Sequence, residues 1–378
     1  MLTSDFNYHL PPELIAQTPA EPRDHARLMI IDRARRTWEH KYFYDLPAYL
    51  RAGDLLVWNN SKVFKARLRG RLFLDGSSDG LAATADTASR RILNITEVEF
   101  FLVRPMTNPG VWKALARPAR KLRLGMRVVF ADDFSAEVIV KEPDGTLLVQ
   151  FADDDALVRA KANMYGEVPL PPYIKTEQGT WSKEQIAELD ERYQTVYAKH
   201  EGSVAAPTAG FHFTPQLIAK LAGQGVQLAE VTLHVGLGTF LPVTTEQIEA
   251  HQMHSEWAEV TAKNADLINA AKAEGRRVVA VGTTTVRMLE GAARQLGQSG
   301  QDGALIRPFS GDINLFITPG FRFQVVDALI TNWHLPQSTL VMLACAFAGD
   351  THFMRHCYAE AIAHHYRFYS FGDAMFIS

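Results

Sequence analysis

The feature that most limits what this chain can fold into is a change of rhythm along its length. Between about Val63 and Phe151 it runs in short β-like stretches broken by turn residues: ARLRGRLFL, ILNITEVEFFLV, MRVVF, SAEVIV and TLLVQF. The last two are joined through Asp144-Gly145, a pair suited to a tight hairpin because both residues tolerate positive φ. From about Thr214 strands and helices alternate instead. TPQLIAKLAGQG, AKNADLINAAKAEG, TTTVRMLEGAARQ and QSTLVMLACAFAG have helical length and punctuation, the last ending on Gly349 as a C-cap. VQLAEVTLHV, RRVVAVG and VVDALITN are short apolar runs of strand length. Two rhythms require two architectures: an all-β module, and an α/β domain with a largely parallel sheet. The strand-like RLMIID and DLLVWNN of the first sixty residues have no core of their own and are assigned to the later domain. The expected fold is an α/β domain built from residues 1–62 and 152–378, interrupted by an all-β domain at 63–151 with a polar, aperiodic surface loop at 74–91.

A chain of 378 residues with 47% hydrophobic and 21% charged content can fill both cores. Its longest apolar run, Leu340 to Ala348, is too short to span a bilayer. The N-terminus lacks the basic flank and apolar stretch of a secretory signal, so a cytoplasmic protein with no membrane partner is expected. Two cysteines, Cys345 and Cys357, supply too few thiolates for an iron–sulfur cluster or a multi-cysteine zinc site.

A net charge of −3 exerts no long-range pull on nucleic acid, so any RNA contact must be local. Two stretches carry bases without acids: Lys62, Lys65, Arg67, Arg69 and Arg71 in one, and Arg117, Arg120, Lys121, Arg123 and Arg127 in the other. On a strand, Lys65, Arg67, Arg69 and Arg71 share one face, with Ala66, Leu68 and Leu72 turned inward. Such a ridge is either a salt-sensitive contact for an RNA backbone or a solvated strand face.

Gly282 and Thr283 to Thr285 stand where a predicted strand turns into a helix. Free backbone N–H groups and hydroxyls there can hold a carboxylate or phosphate, or can simply cap the helix. Gly236 and Gly238 in HVGLGTF fall short of a dinucleotide fingerprint. His212, His234, His254 and His334 lie in polar, turn-rich stretches, several just after predicted strands, where α/β sheets usually bind ligands. One such histidine alone is ordinarily structural; four in similar settings favour acid–base work by at least one of them.

Taken in order, DFNYHLPPELIAQTP, DLLVWNNSKV, GEVPLPPYI, YQTVYAKHEGSVAAPTAGFHFT, HVGLGTFLPV, MHSE, VAVGTTTVRMLE, LFITPGFRFQVVDALITNWHLPQSTL and YRFYSFGDAMFI resemble one family across nearly the whole chain. It is the S-adenosylmethionine:tRNA ribosyltransferase-isomerase family of queuosine biosynthesis. The resemblance implies a barrel-like α/β large domain interrupted by a smaller β-barrel domain. It also implies the reaction: S-adenosylmethionine, as co-substrate, gives its ribosyl moiety to the aminomethyl group of 7-aminomethyl-7-deazaguanine at the tRNA wobble position. Epoxyqueuosine would form, with release of adenine and methionine. No permanently bound cofactor or metal is expected, the partners are S-adenosylmethionine and that tRNA, and the chain is expected to be a monomer.

Within the matched blocks the candidate acid–base groups are His234, His254, Glu256, His334 and Asp373, with individual roles unassigned. Ser203, Thr208 and Gly210 of GSVAAPTAG, with Gly282, Thr283 and Thr284, are the candidates to hold adenosyl or methionyl groups. Lys62, Arg67, Arg69, Arg71, Arg120 and Lys121 are the candidate tRNA contacts. Two other readings stay open. A tRNA methyltransferase would leave S-adenosylhomocysteine, but the chain lacks an early glycine-rich strand–helix turn with a following acid. A non-catalytic RNA-binding module needs only the basic β segment and leaves the matched α/β loops unexplained.

Overall fold

The computed structural model describes residues 1–73, 96–143, 145–171, 173–174, 182–236, 243–253, 255–296 and 304–378. The expected loop at 74–91, together with Asp144, Gly238 and His254, lies outside them. The chain divides into two units, one of residues 1–62 with 170–378 and one of residues 63–169. Its N-terminal part supplies β1 (Arg27–Asp32), β2 (Thr37–Tyr42), β3 (Leu55–Asn59) and the short β4 (Ser61–Val63).

The inserted unit contains β5 (Arg67–Phe73), β6 (Thr96–Pro105), β7 (Val111–Arg117), β8 (Arg127–Ala131), β9 (Phe134–Lys141), β10 (Leu147–Phe151) and α1 (Asp155–Tyr165). All six strands pair antiparallel and close in the order β10-β7-β6-β5-β8-β9. Closure buries every second side chain: Leu68 and Leu72, Val98, Phe100 and Leu102, Val128, Ala136 and Val138, Leu147, Val149 and Phe151. β7 escapes sequence reading because VWKALAR mixes Lys and Ala with its apolar residues; Trp112 and Ala114 are nonetheless fully buried.

The boundary of this unit falls at 169/170 rather than at 151/152, because the chain after β10 still belongs to the barrel. Asp154 caps α1 by accepting from the Leu157 amide at 2.8 Å. Asp155 accepts from the Trp112 indole N–H at 3.0 Å, and Lys161 pairs with Asp153 at 2.9 Å and Asp133 at 3.3 Å. Beyond α1, Glu167 exchanges backbone hydrogen bonds with Arg67 at 2.8 and 3.2 Å.

The larger unit continues with α2 (Lys183–Arg192), β11 (His200–Ser203), which pairs with β4, α3 (Pro215–Gly223), β12 (Gln227–Leu233), β13 (Glu256–Val260), α4 (Ala262–Ala273) and β14 (Val278–Val281). Then follow α5 (Thr283–Leu296), β15 (Phe309–Ile313), β16 (Ala328–Asn332), α6 (Thr339–Ala348), α7 (Thr351–Ala363) and β17 (Ala374–Ile377). Nine strands form one mixed sheet in the order β15-β13-β12-β3-β14-β16-β17-β1-β2. The central four, β12, β3, β14 and β16, run parallel, and β3, β14 and β16 are buried along their full length, as parallel strands covered on both faces must be.

An α/β unit interrupted by a closed β barrel is the expected fold. Closure is confined to the insert, whereas the large sheet keeps two edges, β15 and β2. The largely parallel character expected of the sheet is found in the central run β12-β3-β14-β16 and in the β17–β1 pair, while the other pairings are antiparallel. The connection from β12 to β13 has no α-helix among its described residues to carry the chain back, so β13 returns antiparallel. The apolar run read as a buried helix is α6; it ends on Gly349 at φ +72°, the left-handed C-cap expected there. Among the described residues, no helix is long and apolar enough to cross a membrane.

Candidate active site

The adjacent parallel strands β14 and β16 deliver their carboxyl ends to one pocket, the usual place for a ligand in such a sheet. β14 stops at Gly282, whose φ of +88° suits glycine alone, and α5 begins at Thr283. The Gly282 amide is spent on the Ile330 carbonyl at 2.8 Å and the Thr285 hydroxyl on the Val281 carbonyl at 2.6 Å. Thr283 and Thr284, both buried, line the pocket at the positive end of the helix. From β16 come Thr331 and Asn332, then Trp333 and His334. Ser338, the N-cap of α6, presents a second helix start to the same space by accepting from the Val341 amide at 3.3 Å. Thr208 and its neighbours, with Tyr369 and Ser370, complete the wall around a cavity of about 100 Å³.

Two imidazoles brace this wall uncharged. His334 meets the Tyr358 hydroxyl through Nδ1 at 3.0 Å and the Thr331 hydroxyl through Nε2 at 3.1 Å, and burial pushes its pKa down to about 3. His212 donates from Nε2 to Asn332 Oδ1 at 3.2 Å, and burial lowers it to about 4. That donor assignment follows because the Asn332 amide nitrogen is occupied, donating to the carbonyls of Tyr369 at 2.9 Å and Ser370 at 3.2 Å. Tyr369 itself is held at φ +74°, an unfavourable conformation for a tyrosine that these bonds help to maintain.

The pocket thus gathers Thr208, Gly282, Thr283, Thr284 and His334 from the expected residues; the others among the described residues sit elsewhere. Ser203 is fully buried, its hydroxyl bound to the Ala205 carbonyl at 2.7 Å and the Val235 amide at 2.8 Å, bracing the loop rather than lining the cavity. Gly210 is packed so tightly that a Cβ there would lie 2.0 Å from the Tyr197 hydroxyl. Asp373, whose pKa burial raises, accepts from the amides of Arg27 at 2.9 Å and Arg367 at 2.8 Å and so holds backbone. Glu256 forms a buried ion pair with Arg287 at 2.7 Å and accepts from the Gly236 amide at 2.9 Å.

His234 lines a second, polar cavity of about 370 Å³ with Lys62, Glu201, Trp257 and Glu259. Its Nδ1 lies 2.8 Å from the Ser61 hydroxyl, and its ring stacks on Trp257 at 5.0 Å. The next residue, Val235, lines the first pocket, so the chain leaving β12 separates the two cavities.

The basic ridge of β5 has the expected alternation, but acids from distant segments face it. Arg67 meets Glu99 at 2.6 Å, Arg69 meets Glu167 at 3.0 Å, and Arg71 stands opposite Glu97 in the ladder. Lys62 pairs with Glu201 at 2.8 Å. Arg120 and Lys121 lie exposed in a short 3-10 turn. Of the residues that sequence reading passed over, Thr331, Asn332 and Ser338 are polar groups at strand and helix ends, and Arg287 lies within α5. Ser338 before an apolar helix was the one local signal.

A mixed α/β unit interrupted by a closed six-stranded barrel, with a polar-rimmed pocket at the carboxyl ends of its central strands, defines a two-unit α/β enzyme with a small-molecule site. The sequence profile described as "Queuosine biosynthesis protein" matches residues 3–377, and the chain belongs to that family. It is 47% identical to the S-adenosylmethionine:tRNA ribosyltransferase-isomerase of Thermotoga maritima over 100% of both chains. It is 45% identical to the protein of that name from Rhodospirillum rubrum, covering 99% of this chain and 97% of the relative. The crystal structure of S-adenosylmethionine tRNA ribosyltransferase from Thermotoga maritima superimposes with a TM-score of 0.53 at 36% identity, covering 99% of this chain and 100% of that one.

Proposed function

We propose that the protein transfers and isomerises the ribosyl moiety of S-adenosylmethionine onto the aminomethyl group of 7-aminomethyl-7-deazaguanine at the wobble position of tRNA. Epoxyqueuosine forms, and adenine and methionine leave. The observation that carries this reading is the full-length similarity to proteins of that name, joined to a pocket of the right chemistry at the start of α5. That pocket, at about 100 Å³, is smaller than the roughly 300–1,000 Å³ of whole-ligand sites, so it takes one end of the co-substrate. Thr283, Thr284 and the N-terminus of α5 suit the methionine carboxylate.

The sulfonium acidifies the ribose 5′-methylene; a base removes that proton, adenine departs, and the aminomethyl nitrogen attacks the opened sugar. His334, neutral and engaged at both ring nitrogens, is too weak a base for the carbon acid and instead orients substrate by hydrogen bonding. His234, held by Ser61 beside the larger polar cavity, is the better acid–base group. Glu256 and Asp373 act as positioning residues, and His254 stays a candidate from its sequence block. Arg71, Arg120 and Lys121 on the barrel, with Arg67, Arg69 and Lys62 once their acids are displaced, contact the tRNA backbone.

Incubation with S-adenosylmethionine and tRNA bearing the aminomethyl-deazaguanine should release adenine and methionine in equal amounts. S-adenosylhomocysteine as the product, or no turnover at all, overturns the proposal.

A further inference from the structure

A cluster of titratable side chains that shares no residue with either cavity lies where the edge strand β2 meets the end of α7. His40 Nε2 is 3.2 Å from Glu360 Oε1, and His364 Nδ1 is 3.1 Å from the same oxygen. One ligand atom from each of the three residues lies within 4.8 Å of the others. We propose that His40, Glu360 and His364 form a divalent transition-metal site of the zinc class, tying the edge of the large sheet to the C-terminus of α7.

Four features support it. Two imidazole nitrogens, from rings stacked 4.5 Å apart, lie beside the same carboxylate oxygen, and two imidazoles with one carboxylate are a donor set for zinc rather than for magnesium or calcium. Glu360 and His364 are one helical turn apart, which places both on one face. The Tyr366 hydroxyl lies 2.9 Å from His40 Nδ1, an outer contact of the kind that fixes a ligand ring and leaves Nε2 for the metal. The cluster also sits at the last turn of α7, at the negative end of the helix dipole.

Two features oppose tight binding. The Arg27 guanidinium lies 3.9 Å over the Tyr366 ring and donates to the His364 carbonyl, adding a positive charge nearby. His364 Nδ1 is also 3.1 Å from the Glu360 carbonyl, a bond with which the metal competes. His40 and Glu360 are partly buried and His364 is exposed, which leaves the remaining coordination positions to water.

The test uses the full chain with Zn²⁺ in equilibrium dialysis and with Co²⁺ in visible absorption. One equivalent of each metal should bind, with Co²⁺ giving the d–d bands of a low-coordinate imidazole site, and Zn²⁺ should raise the melting temperature. His40→Ala and Glu360→Gln should each weaken binding by about tenfold or more and abolish the thermal shift, and Tyr366→Phe should weaken it by about tenfold. The same helix carries a second, exposed pair, His352 and His356, with rings 4.4 Å apart. The double variant His352→Ala/His356→Ala should therefore bind as the parent does. Binding that survives both His40→Ala and Glu360→Gln, binding lost in the His352/His356 variant, or no binding at micromolar metal overturns the proposal.

Discussion

Burial holds His334 and His212 neutral beside the pocket, and that has a consequence for stability. Both pKa values fall from 6.5, to about 3 and about 4, so in the range between them and 6.5 the unfolded chain binds protons that the folded chain does not. Stability from these groups is therefore fully present above about pH 6.5 and is lost progressively as the pH falls toward 4. Urea midpoints should drop between pH 7 and pH 5, and His212→Asn, which keeps a donor but cannot titrate, should show a shallower dependence. An equal slope in the two proteins contradicts the assignment. The Arg287–Glu256 pair, 4% and 3% exposed, makes a second prediction at this scale. Arg287→Met leaves a carboxylate buried without its counter-charge and should cost about 3–5 kcal/mol in urea denaturation, with Glu256→Gln in the same chain recovering much of the loss. The Arg287–Glu256 pairing is not legible locally, because the partners are 31 residues apart.

Local pattern gave part of the helix and strand order. The helices α3, α4, α5 and α6 and the strands β12, β14 and β16 were all legible in this way. The small, weakly apolar α1 and the lysine-broken β7 were not, because what makes them an element is a partner surface supplied by the barrel. At the start of α5 the Gly282 to Thr284 motif, read in the sequence as a candidate anion grip, lines the pocket. Gly282→Ala has room for its Cβ, 3.6 Å from Ala209 Cβ, but must adopt φ +88°. It should cost about 1–2 kcal/mol and weaken S-adenosylmethionine binding as the helix start shifts. Thr284→Val, which keeps the shape and removes one hydroxyl, should raise KM for S-adenosylmethionine about tenfold with the melting temperature nearly unchanged. If Thr284→Val leaves KM unaltered, the pocket does not hold the co-substrate.

At the scale of the molecule, the inserted unit has its own closed ladder and its own buried side chains from all six strands. Residues 63–169 expressed alone should therefore unfold cooperatively, whereas a fragment ending at residue 151 should not, because it lacks α1 and the Glu167 strap. Salt-dependent tRNA binding reads out the ridge. Arg71→Gln should flatten the salt slope, and Glu167→Gln, which unpairs Arg69, should strengthen binding at low salt. A slope unchanged by both moves the tRNA contact off this strand.

The sequence alone determined the two rhythms, the interrupted chain order, the buried helix and the family, because periodicity and ordered motif blocks are local properties. Only the tertiary structure decided which polar residues share a cavity, which arginines are neutralised and where the insert ends. Those outcomes depend on pairings between segments dozens to hundreds of residues apart. Charge and burial at a residue are set by what packs against it, which no stretch of neighbouring sequence contains.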